Sequence, residues 1–196
     1  MTNHDDYITP IVALYKSGSS SGQTKIKMLK RLRETPLQAW LPLSAWFGGE
    51  PDEAACITAV LYACYPHVFI EERFHNVNFG DTMRYLHKQQ YNSQTAISVQ
   101  RAFLRLLRSS VMGVEGVYAE IHRCIRMLQQ PNTPYSIGRP IYWEPYLLTQ
   151  DLRALLLYGS DEQSEVTRRW GTSFFRSQTP TKIYAGGGEE DAATTN

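Results

Sequence analysis

The stretch QRAFLRLLRSS at residues 100–110 sets arginines among leucine, phenylalanine and alanine in a helical rhythm. A helix turns by about 100° per residue, so Arg101, Arg105 and Arg108 fall within about 60° of one another. Ala102, Phe103, Leu104, Leu106 and Leu107 fill the rest of the circle. The spacing predicts an amphipathic helix with a wide apolar side and a narrow, purely basic ridge. Solvated faces usually mix the two signs, because like charges at i,i+4 oppose helix formation. No acid occurs between Asp81 and Glu115.

The same period extends along the chain. Residues 8–16 read as a first helix, SGSSSG (17–22) as a flexible loop by composition, and QTKIKMLKRLRET (23–35) as a basic helix that stops before Pro36. LQAWLPLSAWF (37–47) reads as a packed, bent element. Pro51, Asp52 and Glu53 suit a helix start, and AACITAVLYACY (54–65) is apolar on every side until Pro66. FGDTMRYLHKQQ (79–90) follows, with Asp81 as the expected cap and Arg84 and Lys88 one turn apart; residues 91–94 read as a hinge. After the arginine ridge, GVEGVYAEIHRCIRML (113–128) carries an apolar stripe of Val117, Ile121, Cys124 and Leu128, with Arg123 and Arg126 off it. A Pro-rich loop (129–140) precedes two further helices in 142–159 and 164–176. No Val/Ile/Thr alternation bounded by hairpin turns argues for a sheet. The expected fold is all-α, two packed helical bundles with no sheet, spanning 1–92 and 93–176, with a tail at 177–196 whose composition does not favour order.

The 196 residues are 42% apolar, enough for a sizeable core. Net charge is +1, but Glu189, Glu190 and Asp191 lie in the tail, and without those three acids the remainder carries +4. Three cysteines (Cys56, Cys64, Cys124) with no CxxC spacing, and a start MTNHDDYITP without a basic and apolar signal, lead to the expectation of a reduced cytoplasm. The run ITAVLYACY (57–65) is far short of the roughly 18 to 20 apolar residues of a membrane span.

Catalytic signatures are sparse. Glu72 and His75 have the Glu-x-x-His spacing of di-iron bundles without a second copy, and His67, His87 and His122 lack a partner at i+3 or i+4. The glycines match neither a dinucleotide fingerprint nor a phosphate loop, and no G-x-S-x-G elbow occurs. The expectation is a protein with no catalytic residue, no metal and no cofactor; a metal enzyme using Glu72 and His75 is the weakest alternative.

The basic residues are the remaining feature. Lys27, Lys30 and Arg31 lie in the second helix, Arg84 and Lys88 in a middle one, Arg101, Arg105 and Arg108 in the ridge, and Arg123 and Arg126 in the next helix. Taken singly, each cluster reads equally as solvated surface, as do Lys25 at a helix start and Arg33 beside Glu34. Joined in one groove, they would track a phosphate backbone, for which the planar fork of arginine is suited. Tyr85, Tyr91 and Tyr118 either pack or stack on unpaired bases. About six neutralised phosphates give single-strand binding a log-log salt slope near 4.

The order of motifs resembles a known family. A Q-R-x-F helix with LLRS, a second helix ending CIRML, a YW..LL..DL..LL helix and a final RRWG..FF are similar to the CasB family, the small subunit of the type I-E CRISPR surveillance complex Cascade. The first half agrees more loosely, through a glycine-containing loop, a basic helix, AWLP, an alanine-rich helix and FGDTMRYL, so the resemblance covers most of 8–176. It implies an all-helical, non-catalytic subunit that pairs with a second copy, contacts the other Cascade subunits and the guide RNA complex, and holds the displaced non-target strand of target DNA. By resemblance, Arg101, Arg108 and Arg123 occupy the family's basic positions, Arg84 lies in the helix before them, and Arg168, Arg169 and Trp170 match the terminal signature, Trp170 in the core and the arginines at a subunit contact. Departures are Gln100 and Ala102, where an acid and another arginine are common, Tyr158 for a tryptophan, and the long loop at 129–140. The rival expectation is a helical adaptor that joins proteins and touches no nucleic acid.

Overall fold

A computed structural model describes residues 7–69, 77–88, 93–128, 144–157 and 159–176. Glu72, His75, Tyr91, the loop at 129–140, Tyr158 and the tail at 177–196 lie outside the described residues. The fold is all-α, and no strand occurs among the described residues.

Helix α1 (Ile8–Ser17) and helix α2 (Ser20–Arg31) form a tight hairpin. The expected loop at 17–22 is shorter than its composition suggests, because serine and glycine here act as caps. Gly18 ends α1 at a left-handed φ of 60°, and the Ser19 hydroxyl accepts the Gly22 N–H at 3.1 Å, so Ser20, Ser21 and Gly22 are already helical. Gly22 is required by close approach: a Cβ there would sit 2.7 Å from the Leu14 carbonyl oxygen. The Trp-rich element is a 3-10 turn (Pro36–Ala39) running into α3 (Trp40–Phe47). Half-buried Lys25 lies over Trp46, its Nζ 5.3 Å from the ring centre, which replaces the solvated position expected for it.

Helix α4 (Glu53–Cys64) starts as its sequence predicts. The Asp52 carboxylate accepts the Ala55 N–H at 2.7 Å, Glu53 sits in the first turn, and every residue from Ala54 to Ala63 is buried. Helix α5 (Phe79–Lys88) is capped differently from expectation. Asn78 is the cap and Asp81 its third-position partner: Asn78 accepts from the Asp81 N–H and Asp81 from the Asn78 N–H, each at 3.2 Å. Helices α6 (Ser93–Arg108) and α7 (Gly113–Leu128) are joined by a 3-10 turn ending at Gly113, whose φ of 72° favours glycine. The expected stripe Val117, Ile121, Cys124 and Leu128 is fully inside.

Helix α8 (Pro145–Leu156) begins on its proline, and α9 (Asp161–Phe175) is capped by Ser160, whose hydroxyl accepts the Gln163 N–H at 3.0 Å. Helices from both sides of the expected 92/93 boundary share one apolar core reaching from Tyr7 to Phe174. Helix α4 packs on α1, α2, α7 and α8, and α5 on α6 and α9. At the α5–α9 contact, Phe79 meets Trp170 with ring centres 5.0 Å apart, while Phe103 of α6 stacks on Phe174 at 4.4 Å.

Trp170 is fully buried and donates through Nε1 to Asp151 at 2.7 Å. Arg169 pairs with the same carboxylate, and Arg168 pairs with Glu165 at 2.8 Å. Both arginines therefore have partners within their own chain. Burial pushes the Asp151 carboxyl above its ordinary range, and Arg169 opposes that rise.

Candidate nucleic-acid interface

The ridge read from the sequence exists on α6. Its exposed side chains are Gln94, Ile97, Arg101, Arg105 and Arg108, at successive intervals of three or four, while Val99, Ala102, Phe103 and Leu106 are buried. The matching edge of α7 is Glu115, Ala119, Arg123 and Arg126. The two helices pack on each other, and an acid joins their cationic edges: Glu120 takes Arg105 Nε at 3.3 Å and Arg123 Nη1 at 3.4 Å. Glu120 is almost wholly buried, while the side chains of Arg105 and Arg123 are about half exposed. It compensates part of their charge. Arg101, Arg108 and Arg126 are exposed and form no ion pair among the described residues.

The end of α2 approaches α7 from the other side. Tyr118, expected either to pack or to stack on bases, is buried and donates its hydroxyl to the Arg33 carbonyl; its ring stacks on His122, centres 5.5 Å apart. Tyr65 lies 2.6 Å from His122 Nε2 through its hydroxyl. Burial, then Arg33 and Arg126, hold the imidazole below its ordinary pKa, and burial also raises the Tyr65 phenol. The two groups share one hydrogen bond whose direction follows the imidazole tautomer. Lys30 and Arg33 both extend their positive field to Cys64, which places them together at this end of α2. Lys27 and Arg31 are exposed on α2 and form no ion pair among the described residues.

A basic band thus runs from Arg126 and Arg123 to Arg105, with Arg101 and Arg108 one turn to each side; Lys30 and Arg33 at the end of α2 act on the same buried groups, Arg33 paired with Glu34 at 3.0 Å. Arg84 and Lys88 lie on α5. Half-buried Arg84 reaches its own helix's Asp81 at 3.7 Å; Lys88 is exposed, its pKa lowered by desolvation and by Arg84. Among the described residues no interaction connects these two with the band.

Beside the band, a groove of about 770 Å³ separates the 3-10 turn from α7. Leu37, Val114 and Met127 give it apolar surface, Gln38 and Glu115 polar surface, and Arg123 and Arg126 line it as well. Among the described residues no group of three or more His, Cys, Asp or Glu side chains is placed to hold a metal ion, and no helix is long and apolar enough to cross a membrane.

Glu120 and the His122–Tyr65 pair were not singled out by sequence spacing, and Arg33 reads as solvated beside Glu34, with which it pairs at 3.0 Å. The i,i+3 relation of Glu120 to Arg123 is a legible signal for one ion pair; the bond to Arg105 crosses between helices. No family model matches the chain, and no curated protein or solved structure matches it.

Proposed function

We propose that the chain is a non-catalytic helical subunit that binds the backbone of single-stranded nucleic acid without sequence preference. The specific role is that of the small subunit of a type I-E CRISPR surveillance complex, in the cytoplasm of a prokaryote. It would hold the displaced non-target strand beside the guide RNA complex, next to a second copy of itself and the other Cascade subunits, and would use no cofactor. The observation that carries the reading is the junction at Glu120, where the arginine edges of two helices become one band. The resemblance in Q-R-x-F, CIRML and RRWG supports it, as does the exposure of Arg101, Arg108 and Arg126.

Physical demands fit such a band. Replacing a DNA duplex by an RNA–DNA hybrid is nearly balanced in energy, so a modest grip on the expelled strand tips the exchange. Each guide exposes a different sequence, which favours phosphate contacts over base readout. With Arg105 and Arg123 shared by Glu120, about four to six phosphates are neutralised, and the salt slope is about 3 to 4.

Filter binding of a mixed-sequence single strand at rising salt tests this reading. Affinity that ignores sequence and falls steeply with salt is expected. In the reconstituted complex, replacing Arg101, Arg105 and Arg108 with Ala is expected to shorten R-loop lifetime while assembly survives. No binding at low salt, or loss of assembly, transfers these arginines to a protein contact. That second reading, an adaptor, is favoured by exposed Trp40 and Leu41 on α3, 56% and 60% accessible.

A further inference from the structure

We propose that the groove between residues 36–38 and α7 receives an unstacked nucleobase of the bound strand, with Arg123 and Arg126 holding the adjoining phosphates. This rests on the single-strand reading above and adds to it a site for the base.

The shape comes first. A ridge of arginines can attract a backbone but offers nothing to shelter a base. The groove, at about 770 Å³, lies within the range of about 300–1,000 Å³ typical of small-ligand sites. It follows α7 for about three and a half turns, because its α7 lining runs from Val114 to Met127. Apolar surface from Leu37, Val114 and Met127 is suited to the face of a heterocycle, which every base possesses.

Charge then selects the ligand. Glu115 lines the first turn of α7, about two to three turns from Arg123 and Arg126, so a phosphate would be repelled at that end, and so would an acidic peptide, while Glu34 is paired with Arg33 at 3.0 Å. The Glu115 carboxylate and the Gln38 amide oxygen are acceptors for the exocyclic amino groups of adenine, cytosine or guanine. Arg123 and Arg126 supply positive charge on the α7 wall. The lining is therefore divided between cations and acceptors, as a nucleotide is divided between an anionic phosphate and a donor-bearing ring. His122 also lines the groove, and its depressed basicity keeps it neutral near pH 7.

Fluorescence anisotropy on the full chain tests the groove with two strands of equal length and charge, one of mixed sequence and one wholly abasic. The wild-type chain is expected to bind the mixed-sequence strand about 5- to 150-fold more tightly, as stacking of one base typically provides. Ala119 is exposed and lines the groove, so Ala119→Trp fills it from the helix surface. That variant is expected to bind both strands with the affinity the wild type shows for the abasic one. Equal binding of the two strands by the wild type overturns the groove proposal and leaves the phosphate reading standing. Failure to bind either strand overturns the phosphate reading itself. An undiminished preference in Ala119→Trp also overturns the groove, since bases would be held elsewhere. Should the variant melt early, photocrosslinking of the wild type to a 5-iodouracil strand decides instead: adducts at 36–38 or in α7 support the site, and adducts confined to other segments refute it.

Discussion

Replacing Gly80 with Ala should unfasten the joint between α5 and α9. An added Cβ would overlap the Trp170 carbonyl oxygen and lie 2.7 Å from its carbon and 2.9 Å from its Cα, all backbone atoms that cannot swing aside. Overpacking of this kind costs about 1–3 kcal/mol, and an overlap with rigid backbone belongs at the upper end. Opposing it, the change from glycine restricts the unfolded chain and returns about 0.4–1 kcal/mol. The clash wins, leaving a net loss of about 2 kcal/mol and a melting temperature lower by about 4–8 °C for a chain of this size. Gly171 provides the internal control, one residue beyond Trp170. Its nearest neighbour would be Leu107 Cδ1 at 3.7 Å, ordinary contact distance, so Gly171→Ala keeps the entropic gain without the clash. It should melt about 1–4 °C higher than the wild type. Scanning calorimetry on the three chains measures both signs at once. If the two substitutions shift the melting point in the same direction, the close backbone approach at Gly80 is not the determining contact.

Three further outcomes follow from the charged groups. Glu120→Gln releases Arg105 and Arg123, so under the single-strand reading it should strengthen binding and raise the salt slope by about 0.7, whereas Arg101→Ala with Arg108→Ala should lower it by about 1.4; a weakened Glu120→Gln chain of normal stability would refute the account. His122 has a folded pKa below its ordinary 6.5, so the fold binds its proton less readily than the unfolded chain and stability drops as pH falls through that value. Urea midpoints measured from pH 8 to 5 should fall less in His122→Gln than in the wild type. Asp151 has the opposite sign: its raised pKa means the fold favours the protonated carboxyl, so this group's contribution is lost as pH climbs above 3.8. Asp151→Asn cannot titrate, and its midpoint relative to wild type should therefore improve between pH 3 and 6; a constant difference would show that Arg169 fully offsets burial.

Much of the fold is legible in local patterns. The α6 ridge emerges from a 3.6-residue period, and α4 announces itself through Pro51, Asp52 and Glu53 ahead of an unbroken apolar run. SGSSSG misleads because serine composition signals a loop, while the deciding facts are the Ser19 cap and the contact of Gly22 with Leu14 in a neighbouring helix. FGDTMRYL likewise hides its cap, since Asn78 precedes the run and Asp81 answers it. The basic band is only partly readable. Helical spacing places Arg101, Arg105 and Arg108 together, but the joining of α6 to α7 depends on a buried acid shared across a helix interface, and the groove depends on how residues 36–38 lie against α7. Neither has a signature in consecutive residues.

Helix α4 serves as an axle for the whole chain. Because ten consecutive residues of it are enclosed, and its neighbours come from both ends of the sequence, no half can be excised without stripping it bare. Cutting the polypeptide after residue 88 would leave that apolar rod facing water where α7 and α8 had covered it, a recipe for clumping rather than for a working fragment. Heat should accordingly take the chain apart in a single concerted step.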